Sequence, residues 1–566
     1  MHSMTKKLIA PLCVAMLLVA FMPAAVAAGA GGDVAAATYY PISRSTRYLA
    51  EGCTRAGFET WLTVANLEDG TQPPGYRFYP WPPESEQYWK LIVTYTTNEG
   101  VVATKEYDLP KLSRITINVN AEIGAGYDVA FELTVETNAC GVKGAWVERP
   151  MYFSYGGMSG RGPWQGGHVN AETLTQGGYQ SLPTRQYFAE GTTRQDSERC
   201  FEEWICVFNP SDTPAQLTFN YMIEGEGLVV RKGTVAANHR ATWYVPDHVG
   251  VDKDVSLELV SDIGVLAERS MYFSYRSVNP QKPGRSWYGG HVITGVPLEK
   301  LDPQPQLGQL PPVAPVRTFA FAPVAYVPGM GWADTWVCFQ NPNETEVPVK
   351  LTFSTPGGLM AFVKWLPAQQ RSTFYYPALL AEYGVTSSRD PGAFRVETVE
   401  GYPKNILVER PLYMEFDRPA ATGQTPSGGT VISGSTHTMS IYAEGYTGAG
   451  FDTWVALTYF DQSQMWLDAW ARALTEEYLN SGTWFLVDCY FPGKAYLNDY
   501  EISVRRVRDS GYQGPWGTYM WHVNDDFPAT EISLQPEQRT YSERIMIFSY
   551  MGKWCGMHSS GVGCRW

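Results

Sequence analysis

Charge is scarce in this 566-residue chain: Asp, Glu, Lys and Arg together make up 18% of it, and there are only 8 His. Acids outnumber bases to give a formal charge of −14, which argues against nucleic acid or an anionic membrane as the main partner. Beyond the first 28 residues no stretch reaches the ~18 apolar residues of a membrane helix, so no span is expected in the mature chain. Catalytic signatures are missing as well. There is no Gly-x-Ser-x-Gly elbow, no His-Glu-x-x-His, no phosphate-binding loop and no alternating-Asp calcium loop. The expectation is a protein that is not an enzyme and has no cofactor or metal. A facing pair of carboxylates, all that a glycosidase needs, leaves no such signature, so a glycan-acting hydrolase stays open as a third reading.

Aromatics and turn formers are abundant. Phe, Trp and Tyr reach 14%, with 54 Gly and 39 Pro, a mix that favours many short strands and turns over long helices. The chain begins with Lys6-Lys7, an apolar run from Leu8 to Ala28 and the small-x-small site Ala25-Val26-Ala27, which reads as a signal peptide over 1–27. Export places the mature chain in an oxidising compartment, where its eight Cys beyond Cys13 are able to form bridges.

One pattern occurs four times. Its opening is Tyr48-Leu-Ala-Glu-Gly52, Tyr187-Phe-Ala-Glu-Gly191 and Tyr442-Ala-Glu-Gly445, each followed by an acid, one residue and a Trp. The acids and Trp are Glu59 and Trp61, Glu202 and Trp204, and Asp452 and Trp454. The third copy has Asp334 and Trp336, with Ala325-Tyr326-Val327 read in place of Ala-Glu-Gly. The closings are Val147-Glu-Arg-Pro-Met-Tyr-Phe-Ser-Tyr155, Ala267-Glu-Arg-Ser-Met-Tyr-Phe-Ser-Tyr275, Val408-Glu-Arg-Pro-Leu-Tyr-Met-Glu-Phe416 and Ser542-Glu-Arg-Ile-Met-Ile-Phe-Ser-Tyr550. Two copies then add Gly-Gly-His, ending at His168 and His291, and the third has Gly428-Gly-Thr430.

Alternating runs such as Lys90–Tyr95 and Leu217–Tyr221 lie between opening and closing, with turn signals among them, so each copy predicts an Ig-like β-sandwich. The expected organisation is a tail over 28–46, repeats over 47–173, 185–296, 317–434 and 438–566, and a Pro-rich linker over 297–316. Met465–Leu479 has the best helical periodicity in the chain and predicts a short helical insertion in the fourth sandwich.

These motifs resemble the tandem Ala-Glu-Gly…Trp…Glu-Arg-Pro-Met-Tyr-Phe…Gly-Gly-His repeats of secreted bacterial surface proteins, which carry no assigned activity. The resemblance covers nearly all of the mature chain and implies a location on or outside the cell surface.

In a strand, residues i and i+2 share a face and neighbours face opposite sides. The Trp series is therefore expected to fill the sandwich core near its end, with surface stacking on sugars as the alternative. Arg149, Arg269, Arg410 and Arg544 are expected either to pair with Glu59, Glu202, Asp334 and Asp452, fixing register, or to stay as solvated rim charges. Gly-Gly-His brings one His per repeat, too few for structural zinc, and reads as a turn into a last strand.

The insertion Gly70–Trp89 holds five Pro and six aromatics. Packing on its own repeat is one role. The other is a ligand-binding surface made by Tyr76, Tyr79 and Trp81. For disulfides, Cys53–Cys140 and Cys555–Cys564 are expected, Cys200–Cys206 is weaker because a straight strand holds the two apart, and Cys338 and Cys489 are expected as buried thiols. The whole predicts a secreted, non-catalytic protein with a structural, adhesive or ligand-presenting role. Its partner would be a cell-envelope or extracellular glycan or protein, and carbohydrate binding through the aromatic loop is the leading alternative.

Overall fold

The structure is a computed structural model. It describes residues 40–434 except 41, 67, 69, 73–80, 140–143, 172, 175–181, 283, 285, 298–315, 328–329, 356–357, 385–390, 400, 403–404 and 418–426. Beyond 434 it describes 440–441, 444, 451–459, 489–490, 505–506, 518–522, 540–550 and 554–560. The side chains of Arg544, Asp452, Cys489 and Cys555, the whole of Cys564 and the helical insertion at 465–479 lie outside the described residues.

The chain is mostly β-strand in antiparallel sheets with few helices, as sandwiches require. Repeat 1 forms a five-stranded sheet in the order Gly100–Asp108, Trp89–Thr97, Ala130–Thr137, Ser43–Leu49, Thr173–Leu174. Its second sheet runs Ser113–Asn118, Phe58–Asn66, Ala145–Tyr155, Trp164–Ala171. Alternation decides which side each strand buries: Leu91, Val93 and Tyr95 meet Leu62, Val64 and Val147 in one core. Repeat 2 reproduces both sheets strand for strand, and repeat 3 repeats the arrangement with small departures. Of repeat 4, the described strands form a sheet in the order Arg505–Arg506, Thr518–His522, Phe451–Tyr459, Thr540–Tyr550, Trp554–Ser560.

Three strands recur in the second sheet of each repeat. The acid–Trp strand is Phe58–Asn66, Arg199–Asn209, Gly331–Asn341 and Phe451–Tyr459. The Glu-Arg strand is Ala145–Tyr155, Leu266–Arg276, Leu407–Phe416 and Thr540–Tyr550. The final strand is Trp164–Ala171, Ser286–Thr294, Ser427–Ile432 and Trp554–Ser560. The final strands lie against one another in the order 1-2-3-4 and back to 1. The repeats therefore close head to tail around the final strands, as a heterologous contact does when its rotation completes a circle.

Candidate functional site

The recurring residues gather at the junctions between repeats. On the Glu-Arg strand the two residues face opposite sides, as their adjacency requires. Arg149 faces inward and meets Glu51 of its own opening at 2.9 Å. Glu268, on the outward face of repeat 2, reaches the same guanidinium at 3.0 Å and accepts the Ala50 N–H at 2.7 Å. The next junction repeats this. Arg269 meets Glu190 at 2.5 Å and Glu409 of repeat 3 at 3.0 Å, and Glu409 accepts the Glu190 N–H at 2.8 Å. Arg149, Arg269 and Arg410 are all fully buried.

The Tyr three residues beyond each of these Arg is equally repetitive. Tyr272 of repeat 2 packs against Phe153 and Tyr155 of repeat 1, at ring-centroid distances of 4.9 and 4.5 Å. Tyr413 packs against Phe273 and Tyr275 at 4.9 and 4.4 Å. Their hydroxyls donate to Glu51 at 3.4 Å and Glu190 at 3.3 Å. The ring closes with the same contacts. The Tyr152 hydroxyl donates to Glu444 of repeat 4 at 3.4 Å, and the Glu444 N–H donates to Glu148 at 2.6 Å.

Among the described residues the recurring acids do not pair with the Arg series. Glu59 is registered with Tyr152, Glu202 with Tyr272 and Asp334 with Tyr413. Each Arg lies three residues from that Tyr and so faces the other side of the sheet. Glu202 instead accepts the Tyr155 hydroxyl at 2.6 Å and the Met158 and Ser159 N–H groups, all from repeat 1. Asp334 accepts the Tyr275 hydroxyl and the Val278 N–H of repeat 2 in the same way. Trp204 and Trp336 are also displaced from their expected place in the sandwich core. Ile205 and Val207 take the core of repeat 2, while Trp204 shares the junction cluster of Phe58, Tyr155 and Tyr272. Trp336 does likewise, donating to the Tyr275 hydroxyl at 3.3 Å.

In the third repeat the register overturns the opening read from sequence. Phe319 pairs with Phe394 as Leu49 pairs with Phe131, so Ala320-Phe321-Ala322, not Ala325-Tyr326-Val327, stands where the others have Ala-Glu-Gly. Arg410 accordingly donates to the Phe321 carbonyl, as Arg269 does to that of Glu190. Its described carboxylate is Glu543 of repeat 4, at 2.6 Å.

Gly-Gly-His lies in the final strand. A methyl added at Gly289 would sit 3.0 Å from the Gly428 Cα and 2.9 Å from the Phe273 ring, so only glycine lets these strands approach. His291 Nε2 is 3.5 Å from Glu190, but burial and Arg269 hold its pKa well below the usual value, so it is neutral. No group of metal-binding side chains occurs among the described residues. Burial pushes the Glu51 carboxyl up, but Arg149, His168 and the Ser270 hydroxyl outweigh it and hold it below the carboxylate range. Glu190 and Glu409 stay raised, burial outweighing Arg269.

Of the expected ligand surface, Tyr76 and Tyr79 lie outside the described residues. Trp81 donates its indole N–H to the Gly70 carbonyl at 3.1 Å and packs on the repeat 1 core. Cys53, Cys200, Cys206 and Cys338 are buried free thiols. Cys53 pairs with Asp128 at one end of the strand Ala130–Thr137, whereas Ala139 follows its other end. Cys140, the expected partner of Cys53, lies outside the described residues. Cys200 and Cys206 share one continuous strand, too extended for the pair to close. Cys206 and Cys338 each accept a bond from a buried arginine, Arg240 at 3.1 Å and Arg371 at 3.3 Å. Each arginine also reaches the opening of the preceding repeat, at the carbonyls of Ala50 and Gly191.

No protein-family model matches the chain, and no curated protein matches it. Among solved structures it is similar to Thermotoga maritima 1070, at 17% identity over 21% of this chain and 97% of that one, with a TM-score of 0.17. It is also similar to the Anabaena sensory rhodopsin transducer, at 18% identity over 16% of this chain and 94% of that one, with a TM-score of 0.14. Among the described residues no helix is long and apolar enough to cross a membrane.

Proposed function

We propose that the chain is an exported, non-catalytic scaffold. Four Ig-like sandwiches, one per repeat, form a ring that presents non-repeated surface segments to a glycan or protein on or outside the cell surface. One observation carries this reading: the residues that recur, Glu51, Arg149, Tyr272 and their counterparts, are spent on junctions. Export rests on Lys6-Lys7 and the apolar run after them, and the surface location rests on the resemblance to secreted tandem repeats. Incubating the mature chain with a panel of envelope and extracellular polysaccharides tests the non-catalytic part. The reading expects intact polymers, and release of shortened oligosaccharides would overturn it.

Carbohydrate binding is the second reading, and repeat 3 offers an observation for it. Trp365 and Tyr402 are 53% and 39% exposed, with rings 5.5 Å apart at 86°. Trp365, on the same sheet as the Lys350–Glu397 pair, makes a floor, and Tyr402, in the turn after the strand Pro391–Thr398, makes a wall. Such a notch suits a sugar ring, whose apolar face stacks on an aromatic. Glycan-array binding that Trp365→Ala abolishes would support it. Binding that survives this change but is lost on replacing Tyr76, Tyr79 and Trp81 would return the site to the first repeat.

A further inference from the structure

The acid–Trp strand carries one departure that the sister repeats expose. Between the acid and the Trp stand Thr60, Thr335 and Thr453, but repeat 2 has Glu203. Thr60 donates to the Cys53 carbonyl at 2.6 Å and Thr335 to the Pro323 carbonyl at 2.6 Å, so the Thr ties the strand to its own opening. Glu203 occupies this place inside junction 2–3. It is buried, a methyl on Gly191 would lie 2.6 Å from its Oε1, and its Oε2 has no hydrogen-bond partner.

Junction 2–3 thereby gathers three buried carboxyls, Glu190, Glu203 and Glu409, against the guanidinia of Arg269 and Arg371. Arg371 also faces Asp254 at 3.9 Å, which Arg194 already pairs at 2.5 Å. Junction 1–2 has two carboxyls, Glu51 and Glu268, against Arg149 and Arg240. The remaining titratable groups around Glu203 supply no compensating charge. His291 of the final strand is neutral, Tyr221 and Tyr413 are raised well above the usual phenol, and the Cys338 thiol is pushed up to about 12 by burial.

We propose that junction 2–3 is a proton-binding site in which Glu203 stays a carboxylic acid in neutral solution, and that losing this proton weakens the hold of repeat 3 on repeat 2. The arrangement of charges favours it: Arg269 is within ion-pair distance of Glu190 and Glu409 and Arg371 of Asp254, whereas neither guanidinium pairs with Glu203, so its carboxylate would be an uncompensated buried charge, which proteins avoid by keeping the group neutral. Burial, reinforced by Glu190 and opposed by Arg269, Arg371 and the Thr192 N–H, pushes the Glu203 carboxyl up to about 8. Its folded value is thus above its unfolded one. The native state holds the proton while the unfolded chain has lost it, so stability falls as pH rises from about 4.5 to about 8 and levels off beyond.

The test compares the natural mature chain with Glu203→Thr, the residue of the sister repeats, and with Glu203→Gln. The unfolding equilibrium of the natural chain relative to Glu203→Thr should shift toward the unfolded state by up to tenfold per pH unit across that window. Parallel pH profiles would overturn the proposal. Infrared difference spectra give a second readout that does not depend on unfolding. At neutral pH the natural chain should show a protonated-carboxyl absorption that Glu203→Gln lacks and that fades as pH passes about 8. An identical spectrum for Glu203→Gln would overturn it as well.

Discussion

Junction 2–3 and junction 3–4 share one backbone geometry and differ in chemistry. At junction 2–3, Arg269 is clamped by Glu190 and Glu409, His291 stands beside them, and Arg371 meets the Cys338 thiol. At junction 3–4 the places of Glu190, His291 and Cys338 are taken by Phe321, Thr430 and Ala456, and Thr518 stands in the register position of Arg371. Among the described residues, Arg410 pairs there with Glu543, beside Phe321, Leu412, Met414, Ala456 and Ile545. Burial lowers the Arg410 pKa, only partly offset by Glu543, whereas the carboxylates around Arg269 raise its value. The differences are consistent as a set: deleting one member of a buried ionic cluster strands its partners, while exchanging several together for apolar groups does not.

The largest expected effect follows from that asymmetry. Arg269→Ala leaves Glu190 and Glu409 buried without their cation and should cost about 3–5 kcal/mol in denaturant unfolding. A loss below 1 kcal/mol would show that the cluster is hydrated and loose. A paired exchange sharpens the contrast. Arg410→Met with Glu543→Leu should leave stability unchanged or improve it by about 1–4 kcal/mol. Arg269→Met with Glu409→Leu should remain destabilising, because Glu190 and Glu203 would then face Arg371 alone. Equal outcomes for the two exchanges would erase the distinction between the junctions.

Smaller effects probe packing. Gly289→Ala forces a methyl against the Gly428 backbone and the Phe273 ring and should cost about 1–3 kcal/mol, read from the same unfolding curves. Tyr413→Phe removes only the hydroxyl bond to Glu190 and should cost about 1 kcal/mol, with the ring stack kept. Gly156→Ala, where an added methyl meets nothing, should change stability by less than about 0.5 kcal/mol.

Sequence made the strands legible because their alternation answers to one local core: Leu91, Val93 and Tyr95 are buried where the pattern puts them. It also made the repetition legible, down to the opposite facing of Glu268 and Arg269. It did not distinguish a residue that faces its own sandwich from one that faces the next. Trp204, Tyr272 and Glu202 recur much as core positions do, and the reason is a neighbour in the adjoining repeat, near in space and invisible in the pattern. The third opening was misplaced for a related reason: Phe321 shares no chemistry with Glu51, and only the pairing of Phe319 with Phe394 reveals the equivalence. Glu203 was visible as a residue, but its consequence depends on the carboxyls and guanidinia that the fold brings around it.

The claim on which the rest depends is that the repeats close into a ring, with Tyr152 and Glu148 of the first meeting Glu444 of the fourth. Small-angle X-ray scattering of the chain in solution tests it most directly. A closed arrangement predicts a single-peaked distance distribution and a radius of gyration near that of a compact chain of this length, roughly 24 Å. A much larger radius with a long tail in the distance distribution, as a string of separate repeats would give, would contradict it.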